Sequence, residues 1–143
     1  MAKAETFAGS CLCEAVTFEV TPPTRWCVHC HCSLCQRAHG APFVTWFGVG
    51  REQLKITRGE GVLRWRASSN HGRRAFCAEC GTQLLFETAR HPGQVDVVRA
   101  CVPGPIDRQP SAHVHVASKA DWVEIEDRLD RYPEDSASGN VDA

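Results

Sequence analysis

Residues 27–40, CVHCHCSLCQRAHG, hold four cysteines and three histidines in fourteen positions. No hydrophobic core demands such a cluster, and soft thiolate donors at this density point to a metal such as zinc. Cys30, Cys32 and Cys35 form C-x-C-x-x-C, a compact loop that can offer three ligands. Three protein ligands with a fourth position left open is the arrangement of a catalytic zinc; four closed ligands make a structural one. Whether this site is open depends on Cys27. Two adjacent C-x-x-C units can hardly fold back onto one ion, because paired knuckles usually lie about 15–20 residues apart. Cys27 is therefore assigned to packing, as is Cys101 in its apolar stretch.

Two further pairs complete the pattern, Cys11 and Cys13 in GSCLCEA and Cys77 and Cys80 in FCAECGT. The second has the form of a zinc knuckle: a C-x-x-C turn followed by glycine lets two thiolates converge on one metal. A structural zinc needs four ligands, and the C-x-C pair at the mouth of a strand is the natural second half. Such a metal would staple the N-terminal strand to the middle of the chain. The nine cysteines are an odd number, and their spacings are tight, which favours metal ligation over a disulfide framework.

The elements that must position these residues are short and alternate apolar with polar, which suits half-buried strands. AVTFEV (15–20), FVTWFGV (43–49), LKIT (54–57), VLRWRAS (62–68), TQLLFET (82–88), QVDVVRACV (94–102) and HVHVAS (113–118) are the expected strands. Turn-forming TPP, GEG, SNHGRR, HPG and PGPIDRQP separate them. CSLCQRAHG can hold a helical turn, and DWVEIEDRLDRY a short terminal one. The expectation is an all-β fold of two or three small sheets in one domain, residues 1–132, with a polar, disordered tail at 133–143. Net charge is −1, with no basic block, which argues against nucleic acid as the main partner. The sequence starts without the layout of a signal peptide and contains no apolar run long enough for a membrane span, so a soluble cytoplasmic protein is expected.

GSCLCEAVTFEV, CHCSLCQRAHGAPFVTWFGV, LKITRGEG, RAFCAECGTQLLF and HVHVASKADWVEIEDRLDRYPED together resemble the glutathione-dependent formaldehyde-activating enzyme family, also called the centromere-protein-V/formaldehyde-activating domain. The resemblance runs in order from about residue 9 to 133. It implies an Mss4-like, zinc-stapled β-tent of small antiparallel sheets with two zinc ions per chain. Cys11, Cys13, Cys77 and Cys80 fall on the family's structural four-cysteine site, and Cys30, Cys32 and Cys35 on the three-cysteine site associated with activity. Glu14 stands where the family usually has glycine, a departure expected to affect the turn and not the metal.

The family's reaction is the reversible addition of glutathione's thiol to formaldehyde, giving S-(hydroxymethyl)glutathione, so a carbon–sulfur lyase-type enzyme is implied. The alternative is a non-catalytic zinc module that binds glutathione or a protein partner. The thiolate is the nucleophile, and an open three-thiolate zinc could gather the substrate thiol and deprotonate it. Glutathione has two carboxylates, which makes Arg37, Arg73 and Arg74 candidate contacts among otherwise ordinary surface arginines. His39 is the candidate for proton transfer. His29 and His31 flank Cys30 and should point away from a metal held by Cys30 and Cys32, in supporting or surface roles. His113 and His115 are expected to share one face of a strand, at a surface or interface. The four tryptophans are read as core or rim packing.

Overall fold

The computed structural model describes residues 5–135. They build a mainly β architecture of eleven strands in two sheets with one short α-helix. In chain order these are β1 (Phe7–Ser10), β2 (Thr17–Val20), β3 (Trp26–Cys30), α1 (Ser33–His39), β4 (Val44–Gly50), β5 (Leu54–Arg58), β6 (Leu63–Ala67), β7 (Gly72–Cys77), β8 (Gln83–Thr88), β9 (Gln94–Val98), β10 (Ala112–Val114) and β11 (Asp130–Arg131). A three-stranded sheet has the order β1-β2-β5, and an eight-stranded sheet the order β11-β10-β3-β4-β9-β8-β7-β6. The larger sheet is wider than expected, and it is mixed. β10 returns from far along the chain to lie parallel to β3, and β11 adds parallel to β10.

Adjacent residues of a strand face opposite sides of its sheet, and that alternation divides the core in two. Cys27, Phe47, Ala75, Leu85 and Val97 look toward the three-stranded sheet, where Val16, Phe18 and Val20 close a fully buried layer. Their neighbours Val28, Trp46, Phe86 and Val98 look the other way, into a second cluster that includes Cys30, Cys32 and Cys35. Both faces of β4 are therefore covered, and it reads as a nearly continuous apolar run. Gly48 in this strand lies against Trp26, where a Cβ would come within 2.4 Å of the indole ring. No larger residue fits there without moving the tryptophan.

Several expectations from the sequence are corrected. Residues 121–129 contain no helix. Side chains there bond to backbone that a helix would need: Asp127 accepts the Leu129 N–H, and Arg131 donates to the Ile125 carbonyl. The strand from Gln94 stops at Val98, and Arg99–Cys101 form a 3₁₀ turn, so Cys101 is half-buried in a turn with Sγ 3.7 Å from the Gln83 carbonyl. The His113 strand ends at Val114 because His115 turns left-handed, at φ 57°. His113 and His115 therefore do not share a strand face. Of the expected tail, residues 136–143 lie outside the described residues. The carbonyls of Pro133 and Glu134 accept the N–H groups of Ala117 and His115.

Candidate metal and thiol centres

The Cys11/Cys13 and Cys77/Cys80 pairs meet. Cys11 follows β1, Cys77 ends β7, and the four sulfurs all lie within 4.8 Å of one another. Among the described residues this is the one such group of histidine, cysteine or acidic donors. Cys11 and Cys13 are 3.7 Å apart, and Cys13 and Cys77 3.8 Å. Zinc–sulfur bonds of about 2.3 Å in a tetrahedron require sulfur–sulfur edges of about 3.8 Å, so the residues fit one zinc ion. Their surroundings favour thiolates. The Val16 N–H donates to Cys11 at 3.3 Å, and the Thr82 hydroxyl lies 3.1 Å from the Cys80 sulfur. Thr82 draws the Cys80 thiol down to about 5, chiefly through its hydroxyl and its N–H. Such crowding resists a second charge without a cation: although the Ala15 N–H lowers Cys13, burial and the thiols of Cys80, Cys11 and Cys77 raise it to about 12.

Glu14 turns this corner at φ 63°, with its N–H on the Cys11 carbonyl at 3.2 Å. That is the left-handed region in which glycine avoids a Cβ penalty. The departure at Glu14 is thus a matter of the turn's backbone, with the four sulfurs still converging.

Cys30, Cys32 and Cys35 lie on the other face of the large sheet. Cys30 ends β3, Cys32 is the N-cap of α1, and Cys35 is the buried residue of that helix. Cys30 and Cys35 are 3.5 Å apart, and Cys32 accepts the Leu34 N–H at 3.3 Å. Gly40 ends the helix left-handed at φ 61°, its N–H on the Gln36 carbonyl. The thiols of Cys30 and Cys35 hold Cys32 far below the usual thiol range, with help from backbone N–H groups. Cys30 is pushed well above that range by Cys32, by Cys35 and by burial. The three cysteines suit a soft cation in donor type, although among the described residues they do not form a second group whose donor atoms all lie within 4.8 Å of one another.

Cys27 sits on the opposite face of β3 from Cys30, fully buried against the three-stranded sheet. Burial raises its thiol to about 11. Cys27→Ala is expected to leave zinc content unchanged and to lower stability by roughly 1 kcal/mol, measured by metal analysis and denaturant unfolding. A loss of one zinc would make Cys27 a ligand.

Of the three candidate arginines, only Arg74 is brought to this centre. It is buried, 4% exposed, with Nη2 3.7 Å from the Cys35 sulfur and its guanidinium 5.0 Å from the Phe86 ring centre. Arg73, one residue earlier, faces the other side. It donates to Glu87 at 2.7 and 2.9 Å and stacks on Trp65 at 4.3 Å, and Arg51 pairs with the same carboxylate. Arg37 is exposed on α1.

His39 packs edge-on against Trp46, ring centres 5.4 Å apart, and its Nε2 is buried without a partner. Desolvation, aided by the Arg74 charge, lowers it to about 4. It is therefore a neutral imidazole at neutral pH. An unfolded histidine titrates near 6.5. Between about 6.5 and 4 the unfolded chain binds a proton that the folded one does not, so stability falls as pH falls through that window. His31, lowered to about 4 by burial and then by His113 and His29, adds to the same slope. His39→Gln should flatten the dependence of the unfolding midpoint on pH between 6.5 and 4 relative to the parent; superimposable curves would contradict this.

Three other histidines, His29, His31 and His113, form a cluster that the sequence did not predict. His31, wholly buried, is hydrogen-bonded to His113 at 2.8 Å, and His113 to the Asp127 carboxylate at 2.9 Å. His29 bonds Thr45 at 2.7 Å, and Phe43 packs against both His29 and His31. His31 and His113 are 82 residues apart in sequence, so only the parallel pairing of β3 with β10 reveals them as partners. His31 is also held by its backbone. Its N–H donates to the Val114 carbonyl, and its own carbonyl accepts from Gln36, which anchors the bend between Cys30 and Cys32.

Comparison with known proteins places this arrangement among others. A family model described as glutathione-dependent formaldehyde-activating enzyme matches residues 6–118. A Halomonas elongata protein bearing the name of a glutathione-dependent formaldehyde-activating enzyme is 31% identical over 140 residues, 90% of this chain and 89% of that one. A Schizosaccharomyces pombe protein named an uncharacterised lyase is 32% identical over 82 residues, 56% of each chain. A Rhodobacter sphaeroides protein of known crystal structure superposes with a TM-score of 0.59 at 25% identity, over 71% of this chain and 92% of that one. Among the described residues no helix is long and apolar enough to cross a membrane.

Proposed function

The chain belongs to the glutathione-dependent formaldehyde-activating enzyme family, and from that premise we propose that it is a carbon–sulfur lyase-type enzyme forming and cleaving S-(hydroxymethyl)glutathione at Cys30, Cys32 and Cys35. In the forward direction the glutathione sulfur bonds to the carbonyl carbon of formaldehyde, and the thiol proton ends on the carbonyl oxygen. The reverse breaks the same bond. We assign two zinc ions, one to the four-cysteine group as a staple and one to the three-cysteine group. Bound by these three sulfurs, zinc would supply a soft cation that lowers the pKa of a substrate thiol.

The observation that carries the reading is the convergence of Cys30 and Cys35 at 3.5 Å with the Arg74 guanidinium against Cys35. Sulfur centres accumulate negative charge, and a buried guanidinium offsets it where water cannot. Trp46 and Phe86 flank Arg74 with aromatic rings. His39 supplies a neutral ring with an unpartnered Nε2 beside the same tryptophan, suited to hydrogen-bonding an oxygen of the adduct.

The test is to mix zinc-loaded protein with glutathione and formaldehyde and to follow the adduct by NMR exchange. Faster interconversion than in protein-free solution is expected. Glutathione binding with no acceleration would leave the non-catalytic module as the function.

A further inference from the structure

Arg74 touches the sulfur centre with one nitrogen, and its other two have no partner. Nε and Nη1 are both buried without a hydrogen bond. A buried guanidinium left this way is costly, because unpaired charged donors lose their hydration with nothing in return. The same side chain lines a cavity of about 180 Å³ together with Arg66, Ser68 and Gln83, over Phe76 and Ala38. The Ser68 hydroxyl and Gln83 Oε1 are also buried without partners. The register explains the grouping: Arg74 lies opposite Arg66 on β6, and Phe76 opposite Gln83 on β8. Cross-strand partners share a face.

The chemistry of the lining is one-sided. Two arginines cannot lose their charge, and no acidic residue lines the cavity. A serine hydroxyl can donate, and a glutamine amide presents N–H groups when turned about its last bond. The geometry points to a carboxylate subsite: the cavity formed by Arg74, Ser68, Gln83 and Arg66 receives a carboxylate of the thiol substrate while its sulfur lies at Cys30, Cys32 and Cys35. This rests on the thiol-handling reading above and extends it. The site selects acidic thiols, and Arg74 is the residue that connects the acid end to the sulfur end. A guanidinium present only to balance sulfur charge would give no such selectivity.

The experiment measures binding without aldehyde. The zinc-loaded full chain is titrated calorimetrically with 3-mercaptopropionate and with 3-mercaptopropionamide, which differ only in that charge, and with glutathione and its glycine amide. The acid of at least one pair is expected to bind about tenfold tighter or more, the range of charge-assisted hydrogen bonds. The Arg74 Nε–H resonance should move with the acid and stay put with its amide. In the Ser68→Ala/Gln83→Leu double variant the preference should shrink several-fold while the amides bind as before, and in Arg74→Lys the preference should shrink as well. Equal affinities within both pairs in the parent, an unchanged preference in both variants, or no thiol binding at all would overturn the subsite. An acid preference with no acceleration of the formaldehyde reaction would refute the proposed reaction and leave the subsite standing; acceleration with equal affinities would do the reverse.

Discussion

Cys77→Ser protein is expected to emerge insoluble or to melt roughly 15 °C or more below the parent, with its bound zinc reduced to one ion or fewer. The four sulfurs of Cys11, Cys13, Cys77 and Cys80 are the connection between the corner after β1 and the end of β7. Structural zinc sites of this kind contribute apparent binding energies of about 10–16 kcal/mol, comparable to the whole stability of a domain, about 5–15 kcal/mol. Losing even 5 kcal/mol shifts Tm by about 2–4 °C per kcal/mol in a chain of this size. Cys77 is the decisive member because it is fully buried in the core layer, so a serine there also leaves a hydroxyl without a partner. Calorimetric melting with metal analysis checks it. A soluble variant with parental Tm and two zinc ions would refute the assignment of this cluster as the staple.

Cys32→Ser should give the opposite pair of results: a folded protein with its four-cysteine zinc in place, and adduct interconversion slowed about 100-fold or more, beyond what loss of supporting contacts costs at metal sites. The local structure makes this a clean substitution. Cys32 caps α1 by accepting the Leu34 N–H, and serine is among the preferred residues at that position. The cap survives, and stability should change by no more than about 1 kcal/mol. What is lost is the sulfur whose pKa its neighbours Cys30 and Cys35 lower. NMR exchange rates and thermal melts measured on the same preparation decide it. Undiminished exchange would move the chemistry away from these cysteines.

The cysteine spacings were legible because a C-x-C or C-x-x-C turn is local, and its two sulfurs converge wherever the turn is placed. The pairing of two such turns 64 residues apart followed from counting ligands. Strands β3 and β7 were hidden for opposite reasons. In the first, Cys30 read as a metal-loop residue and Cys27 as a packing residue beside that loop, and the charges of Arg73 and Arg74 in the second obscured a strand that buries one arginine and exposes the other. Period-2 alternation in GRRAFC would have separated those two arginines, had the strand been recognised. The carboxylate-sized cavity and the chain from His31 to Asp127 depend on which strands become neighbours. That pairing is set by tertiary packing, and no residue pattern within β3 or β10 announces it.

The pairing of β3 with β10 also bears on how the molecule comes into being. The strand that leads into the three-cysteine loop finds its outer neighbour only when His113 and Val114 lie beside His29 and Cys30. On a ribosome, that neighbour is made long after the loop itself. Until then the growing chain carries an uncovered strand edge next to three cysteines, while Cys11 and Cys13 await Cys77 and Cys80. The last strands to be made are therefore the ones that complete the large sheet beside the three-cysteine loop.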